Sequence, residues 1–319
     1  MITALILGTV LFGGAAAYLA WAAWSVFHGA GIFWFAAGAV ALYAAIPFFG
    51  ATLWFTLAWI YRTPRPASLR IGPSASLRMF WNEMRAIARA GPRMALYRWL
   101  VRDPPPAPAQ TPVLLLHGVL CNAGVWVGLK RYLRSQGLGP VYALSYGPPL
   151  ASIECFAEQT AAKVDAVLAA TGARRVAIIG HSMGGLVARA YLRRDGGDRV
   201  STLITMGTPH HGSMLAWLLP GVCLGQLRPG NDWLAQLNRA EGAAPPARTV
   251  SLWSWHDSMV APQLSARLDG AINIELTGVG HNALLGDPIA FAAVAQELRR
   301  AAGEAGEMPA PGSVPPSGT

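Results

Sequence analysis

Charge is absent from the first 61 of the 319 residues: no Asp, Glu, Lys or Arg precedes Arg62. All 25 Lys and Arg and all 16 Asp and Glu lie beyond that point, which is not the pattern of an ordinary soluble chain. Acids stay scarce for a further stretch. Residues 62–102 hold nine Arg and a single acid, Glu83, whereas residues 103–319 hold sixteen bases and fifteen acids. The net charge of +9 and the pI near 10.0 therefore belong to the segment that follows the apolar stretch. No RNA- or DNA-binding motif accompanies the basic residues, so nucleic acid is not the expected partner and anionic lipid headgroups are. Cysteine is scarce too. Cys121, Cys155 and Cys223 have neither CxxC nor metal-ligand spacing, so neither a disulfide framework nor a zinc site is indicated. They read as inert core thiols, with one disulfide and one free thiol as the alternative in an oxidising compartment.

What the first 61 residues do have is apolar length. A helix needs about 20 residues to cross the roughly 30 Å hydrocarbon core, so there is room for two crossings. His28-Gly29-Ala30-Gly31 divides them, which places one helix near Ile2 to Phe27 and a second near Ile32 to Tyr61, tilted or kinked at Pro47. Trp54, Trp59 and Tyr61 suit an interfacial belt. The other reading, a cleaved signal peptide, lacks a basic n-region, and the second span would remain after cleavage. Arg62, Arg65, Arg70 and Arg78 follow the second span directly, so the positive-inside rule puts both termini in the cytoplasm, with a bacterial inner membrane as the expected location.

Leu77, Phe80, Trp81, Met84, Ile87 and Ala88 recur at helical spacing, with Arg78, Asn82, Glu83, Arg85 and Arg89 on the other side. Two readings of this amphipathic helix stand: it lies in the headgroup plane, or it packs on the domain that follows. Pro104-Pro105-Pro106 and Pro108 form a stiff linker. The expected organisation is two transmembrane helices in 1–61, a basic juxtamembrane segment and linker in 62–110, a globular domain in 111–302 and a disordered tail in 303–319.

Within the globular domain short apolar runs alternate with amphipathic stretches, the signature of a parallel sheet covered on both faces. The expected strands are Val113 to Leu116, Val141 to Leu144, Val176 to Ile179, Thr202 to Thr205, Val250 to Trp253 and Ile272 to Leu276. Helices are expected near Val125 to Gln136, Ile153 to Thr171, Gly185 to Arg194 and Pro288 to Ala302.

Gly180-His181-Ser182-Met183-Gly184 sits between one of these strands and one of these helices, the context of a nucleophile elbow. Its glycines let the turn close, and the turn lifts the Ser182 hydroxyl above the sheet. A serine needs a histidine base and an acid to hold the tautomer of that base. Both are expected C-terminal to Ser182. His281, in a loop of small residues after a strand, is the candidate base. Asp257, at the C-terminal end of the strand before, is the candidate acid, with Asp269 and Asp287 as rivals; Asp287 reads better as a helix cap. An oxyanion needs two N–H donors. The Met183 amide supplies one; the Val119 amide, or failing it that of Leu120, supplies the second from the loop Leu116-His117-Gly118-Val119-Leu120. His117 reads as an ordering residue for that loop.

Taken together, His117-Gly118, the GHSMGG of 180–185, the GTPHHGS of 207–213, Asp257 and His281 resemble bacterial triacylglycerol lipases within the α/β-hydrolase family. The likeness covers roughly 111–300. It implies an α/β-hydrolase fold and ester-cleaving activity on lipid-like acyl esters, with no cofactor. It also implies a helical cap over about 214–247, undersided by Leu215, Trp217, Leu218, Leu219, Leu224 and Trp233; the alternative is a helical excursion that completes the core. His210 and His211 read as loop-fixing residues. Some relatives bind calcium through an aspartate just beyond the catalytic histidine, where this chain has Asn282-Ala283-Leu284, so no metal is expected. Two rival functions keep the same fold: a transacylase or thioesterase with the same triad, and a non-catalytic membrane scaffold.

Overall fold

The computed structural model describes residue 9 and residues 13–241 and 247–303. Six strands form one sheet: β1 (Val113–Leu116), β2 (Val141–Leu144), β3 (Val176–His181), β4 (Val200–Met206), β5 (Arg248–Ser254) and β6 (Ile272–Leu276). All neighbours pair in parallel, in the order β2-β1-β3-β4-β5-β6. Each expected strand is present, and three of the six extend past the apolar run that announced them.

The near-continuous apolar runs are explained by burial on both faces. Side chains alternate across a strand, so Leu114, Leu116 and Ile178 enter one core while Val113, Leu115, Ala177 and Ile179 enter the other. The helices α5 (Ile153–Thr171) and α6 (Met183–Tyr191) cover the first face. The second is covered by α4 (Val127–Ser135) and α9 (Pro288–Ala301). Asp287 caps α9, its carboxylate accepting from Ala290 N at 2.9 Å.

Strand order decides where a site can form. From β1 the chain crosses to β2 on one side and then to β3 on the other, so the crevice between the C-terminal ends of β1 and β3 is the topological switch point. Leu116 lies beside Gly180 across that crevice, which sets the loops beginning at His117 and Ser182 side by side.

Ahead of the sheet lie α1 (Gly14–Phe27), α2 (Ile32–Ile60) and α3 (Pro73–Ala95). Among the described residues one helix, α2, is long and apolar enough to cross a membrane, not the two that were expected. Its 29 residues span about 43 Å. The 14 described residues of α1 span only about 21 Å, short of the hydrocarbon core, and residues 2–8 and 10–12 of the expected first span lie outside the described residues.

The amphipathic helix α3 packs on the globular domain and also keeps an outer face. Leu77 and Trp81 are exposed beside Arg78, Asn82, Arg85 and Arg89. Glu83 departs from expectation: it is fully buried rather than on the polar side. Helical periodicity places it with the arginines, but it has partners from distant loops that periodicity cannot register. Further stitches join α2 to the domain. Ala58 packs against Leu215 and Ala261, and Thr63 exchanges hydrogen bonds with the Gln263 side chain (2.9 Å) and Leu264 N (3.1 Å).

Candidate active site

Ser182 leaves β3 with φ +56° and ψ −129°, a conformation that a residue with a side chain adopts only when its surroundings force it. Here they do. Ser182 N donates to Met206 O (2.9 Å), and Ser182 O accepts from Gly185 N (3.1 Å) and Thr208 Oγ1 (2.8 Å). The flanking glycines are required by close approach. A Cβ at Gly180 would lie 2.5 Å from Gly185 N, and one at Gly184 would lie 2.2 Å from Leu116 O. Gly185 has the same need, since its Cβ would meet Thr208 Oγ1 at 2.1 Å. The GHSMGG and GTP segments are thus one interlocked turn, a role for Thr208 that the sequence reading missed.

Beside the elbow, a Cβ on Gly118 would lie 3.0 Å from Ser182 Cβ, so the β1 loop runs directly past the hydroxyl. Met183 opens α6, so its N–H has no acceptor within that helix. Val119 N likewise makes no hydrogen bond among the described residues. His117 is buried, stacks on Tyr146 with 4.0 Å between ring centroids and places Nδ1 2.8 Å from Gly118 O. Burial pushes its pKa down to about 4, against the smaller upward pull of that carbonyl. A neutral ring that orders the loop fits this environment.

Asp257 and His281 come together from the ends of β5 and β6, both buried. His281 Nδ1 lies 2.9 Å from Asp257 Oδ2 and 3.1 Å from Oδ1. Asp257 Oδ1 also accepts from Met259 N (2.8 Å) and Val260 N (2.7 Å), so the carboxylate is fixed before it meets the imidazole. Facing a carboxylate, Nδ1 must be the protonated nitrogen of the neutral ring, which leaves Nε2 free to accept. Burial opposes the charged ring, yet the charge and hydrogen bond of Asp257, with the charge of Glu83, outweigh it and raise the His281 pKa above the ordinary 6.5. The folded state therefore favours protonated His281. That contribution to stability is complete below the unfolded value near 6.5 and is lost as pH rises through the higher folded value.

His181 is a second residue that was missed although it stands inside the elbow motif. Its ring lies 4.6 Å from that of His281, centroid to centroid, and Nε2 donates to His281 O at 3.1 Å. Burial first, then the His281 charge, hold its pKa well below the usual range, so it acts as a neutral donor. His210 is neutral for similar reasons, burial and the Arg189 charge. Its Nδ1 faces Arg189 Nη1 at 3.1 Å and its Nε2 faces Thr205 Oγ1 at 3.1 Å, a buried network beneath the 207–213 loop. Among the described residues no group of three or more His, Cys, Asp or Glu side chains is placed to hold a metal ion.

Over the expected cap segment a 3-10 turn Met214–Trp217 is followed by α7 (Val222–Gln226) and α8 (Asp232–Glu241); residues 242–246 lie outside the described residues. The six apolar side chains expected beneath a cap divide into two sets. Leu224 and Trp233 join the core and Leu215 packs on α2, whereas Trp217, Leu218 and Leu219 are exposed, as is Leu120 of the β1 loop.

Residues 111–251 match the family profile described as the alpha/beta hydrolase fold. A triacylglycerol lipase of Pseudarthrobacter phenanthrenivorans is 36% identical over 122 residues, 34% of this chain and 36% of its own length. One from Burkholderia plantarii is also 36% identical over 122 residues, covering 34% of this chain and 32% of its own. This chain thus spans about a third of the length of these relatives. A Bacillus licheniformis lipase crystal structure superposes with a TM-score of 0.55 at 19% identity, over 61% of this chain and 96% of that one. An Aspergillus fumigatus lipase B structure gives 0.56 at 21% identity, over 64% and 57%. The chain carries an α/β-hydrolase-fold domain related to bacterial triacylglycerol lipases.

Proposed function

We propose that this chain is a membrane-anchored serine hydrolase that cleaves carboxylic esters of lipid-like substrates. The observation that carries the reading is the two-oxygen contact of Asp257 with His281 Nδ1, beside a serine held at φ +56° over the switch point of the sheet. In this reading His281 Nε2 takes the Ser182 proton as Oγ attacks the ester carbonyl. The tetrahedral oxyanion is held by the Val119 and Met183 N–H groups. His281 then returns the proton to the departing alcohol, and water, activated by the same nitrogen, releases the acid from the acyl-enzyme. Asp257 keeps the ring in one tautomer and stabilises its cation.

Three features support a substrate drawn from a membrane. Helix α2 has the length of a span and presents exposed Ile32, Trp34 and Phe49. Trp217, Leu218, Leu219 and Leu120 are exposed apolar side chains on segments that follow the C-terminal ends of β4 and β1. At the foot of α2, Arg62 lies over the Trp59 ring (4.3 Å), and a cavity of about 440 Å³ is lined by Phe55, Trp59, Phe80, Arg65 and Arg70, a setting for anionic headgroups. A cap over the acyl-binding cleft, built from the described residues 214–241, fits the same reading.

Membranes that contain the wild-type chain should label with a fluorophosphonate probe, and those that contain Ser182→Ala should not; equal labelling of both would sink the reading. The basic foot of α2 supports, by the positive-inside rule, a domain on the cytoplasmic side of a bacterial inner membrane. A reporter that is active only in the periplasm, fused after Thr319, is expected to be silent, and a signal from it would reverse that orientation.

A further inference from the structure

Glu83 is the one acid among nine arginines in residues 62–102, and it is fully buried against the catalytic loops. Its Oε1 accepts from Ser258 Oγ (2.6 Å), Asn282 Nδ2 (2.9 Å) and Asn282 N (3.1 Å), and its Oε2 accepts from Ala283 N (2.8 Å). All four donors are neutral. They come from the two loops that carry Asp257 and His281, at positions one or two residues beyond them. Ser258 Oγ also accepts from His281 N at 3.2 Å, so a continuous path of hydrogen bonds runs from the Glu83 carboxylate to the backbone of the candidate base. Space for the carboxylate is built in: a Cβ on Gly280 would lie 2.5 Å from Oε2.

A buried carboxylate is costly, and it persists only where hydrogen bonds replace the water it has lost. If the helix needed only to pack, an apolar side chain at position 83 would do so without that cost. A charge retained here acts on what lies next to it. We propose that Glu83, carried by the juxtamembrane helix α3, is a positioning residue that locks the Asp257 and His281 loops together and adds negative charge behind the imidazolium formed in turnover. The inference rests on the serine-hydrolase reading and deepens it: the segment that follows the membrane helix completes the active site as well as tethering it.

Three titratable groups face His281: Asp257 from the β5 loop, Glu83 from α3 and His181 from the end of β3. His181 is neutral, so the two acids control the ring. In the full-length wild type, purified in detergent and assayed on a p-nitrophenyl acyl ester, the acid limb of kcat/KM is expected above the ordinary histidine value of 6.5. Glu83→Gln keeps the shape and most of the acceptors but removes the charge. It is expected to lower kcat roughly tenfold, the factor that one pKa unit of lost charge stabilisation represents, with KM little changed and the acid limb moved to lower pH. Glu83→Ala also frees the loops and is expected to lower kcat by about 100-fold. Ser258→Ala cuts the path to the His281 backbone and keeps the charge, so kcat should fall while the acid limb stays in place. A Glu83→Gln enzyme with wild-type kcat and pH profile overturns the proposal, and so does a loss of activity that only follows the folded fraction with the acid limb unmoved. If Glu83→Gln fails to fold, Ser258→Ala decides: wild-type kcat there overturns it. A wild type that neither labels with fluorophosphonate nor turns over would instead sink the serine-hydrolase reading itself, so the two failures are distinguishable.

Discussion

Ser182→Ala is expected to lower kcat by roughly six orders of magnitude, and Ser182→Ala combined with His281→Ala is expected to be no slower than either variant alone. The reason is the proton that the proposed mechanism passes between them. His281 has one nitrogen committed to Asp257, so the only proton it can usefully take is one presented at Nε2. Remove the serine and that nitrogen has nothing to deprotonate in the acylation step. Remove the histidine and the Ser182 hydroxyl is left as an alcohol of ordinary basicity. Each loss therefore contains the other. What would remain in all three variants is the proposed pair of amides at Val119 and Met183 and the binding surface, which should retain some rate above that in water. Single-turnover rates on a short acyl ester, measured for the two single variants and the double, supply the check. Losses that multiply in the double variant would show that the two residues act independently, which contradicts a proton passing between them.

The elbow was legible in the sequence because its chemistry is compressed into one turn. Gly180, Ser182, Gly184 and Gly185 are adjacent in the chain, and the steric reason for each glycine is a contact with backbone or with a neighbouring loop. Strand positions were legible for a related reason: burial on both faces turns the central strands β1, β3, β4 and β5 into largely apolar runs. The contact between Asp257 and His281 could be anticipated because one follows β5 and the other follows the neighbouring strand β6. Glu83 could not. Its donors stand 175 to 200 positions away, and the local pattern around it, five arginines between 78 and 98, argues for solvent. Thr208 and His181 lie inside the GTPHHGS and GHSMGG motifs, but their contacts depend on which loop passes over which, information that only the strand order provides.

The same logic explains how the membrane region was read. Uncharged length over 61 residues suggested two crossings, yet length without charge says only that a stretch tolerates lipid. Helix α2 meets the requirement by itself and is bound to the globular domain at its foot through Ala58, Thr63 and the α3 helix. In the membrane-anchored reading proposed above, that continuity would set the height of the site above the lipid. The exposed side chains of Trp217, Leu218 and Leu219 would then be available to a substrate that has not left the membrane.

Asp257→Asn is expected to lower kcat by about four orders of magnitude while the protein remains folded. The two oxygens of Asp257 are not equivalent. Oδ1 accepts from the backbone N–H groups of Met259 and Val260, so in the variant the amide oxygen must take that position, because an NH2 group there would face two donors. The amide nitrogen then occupies the place of Oδ2, 2.9 Å from His281 Nδ1, and donates to it. His281 can accept there only by carrying its proton on Nε2 instead, the nitrogen that must be free to take the proton of Ser182. The base is thus disabled by a change of tautomer with almost no change of shape. The Asp257 charge is lost as well, and it is the leading influence that holds the His281 pKa up against burial. The ring should therefore titrate at lower pH in the variant, and activity should not recover as pH is raised through the wild-type acid limb. A pH profile of kcat/KM, with an NMR titration of the His281 ring, tests both consequences. A variant with near wild-type kcat would mean that Asp257 does not set the tautomer, and the acid would have to be sought elsewhere.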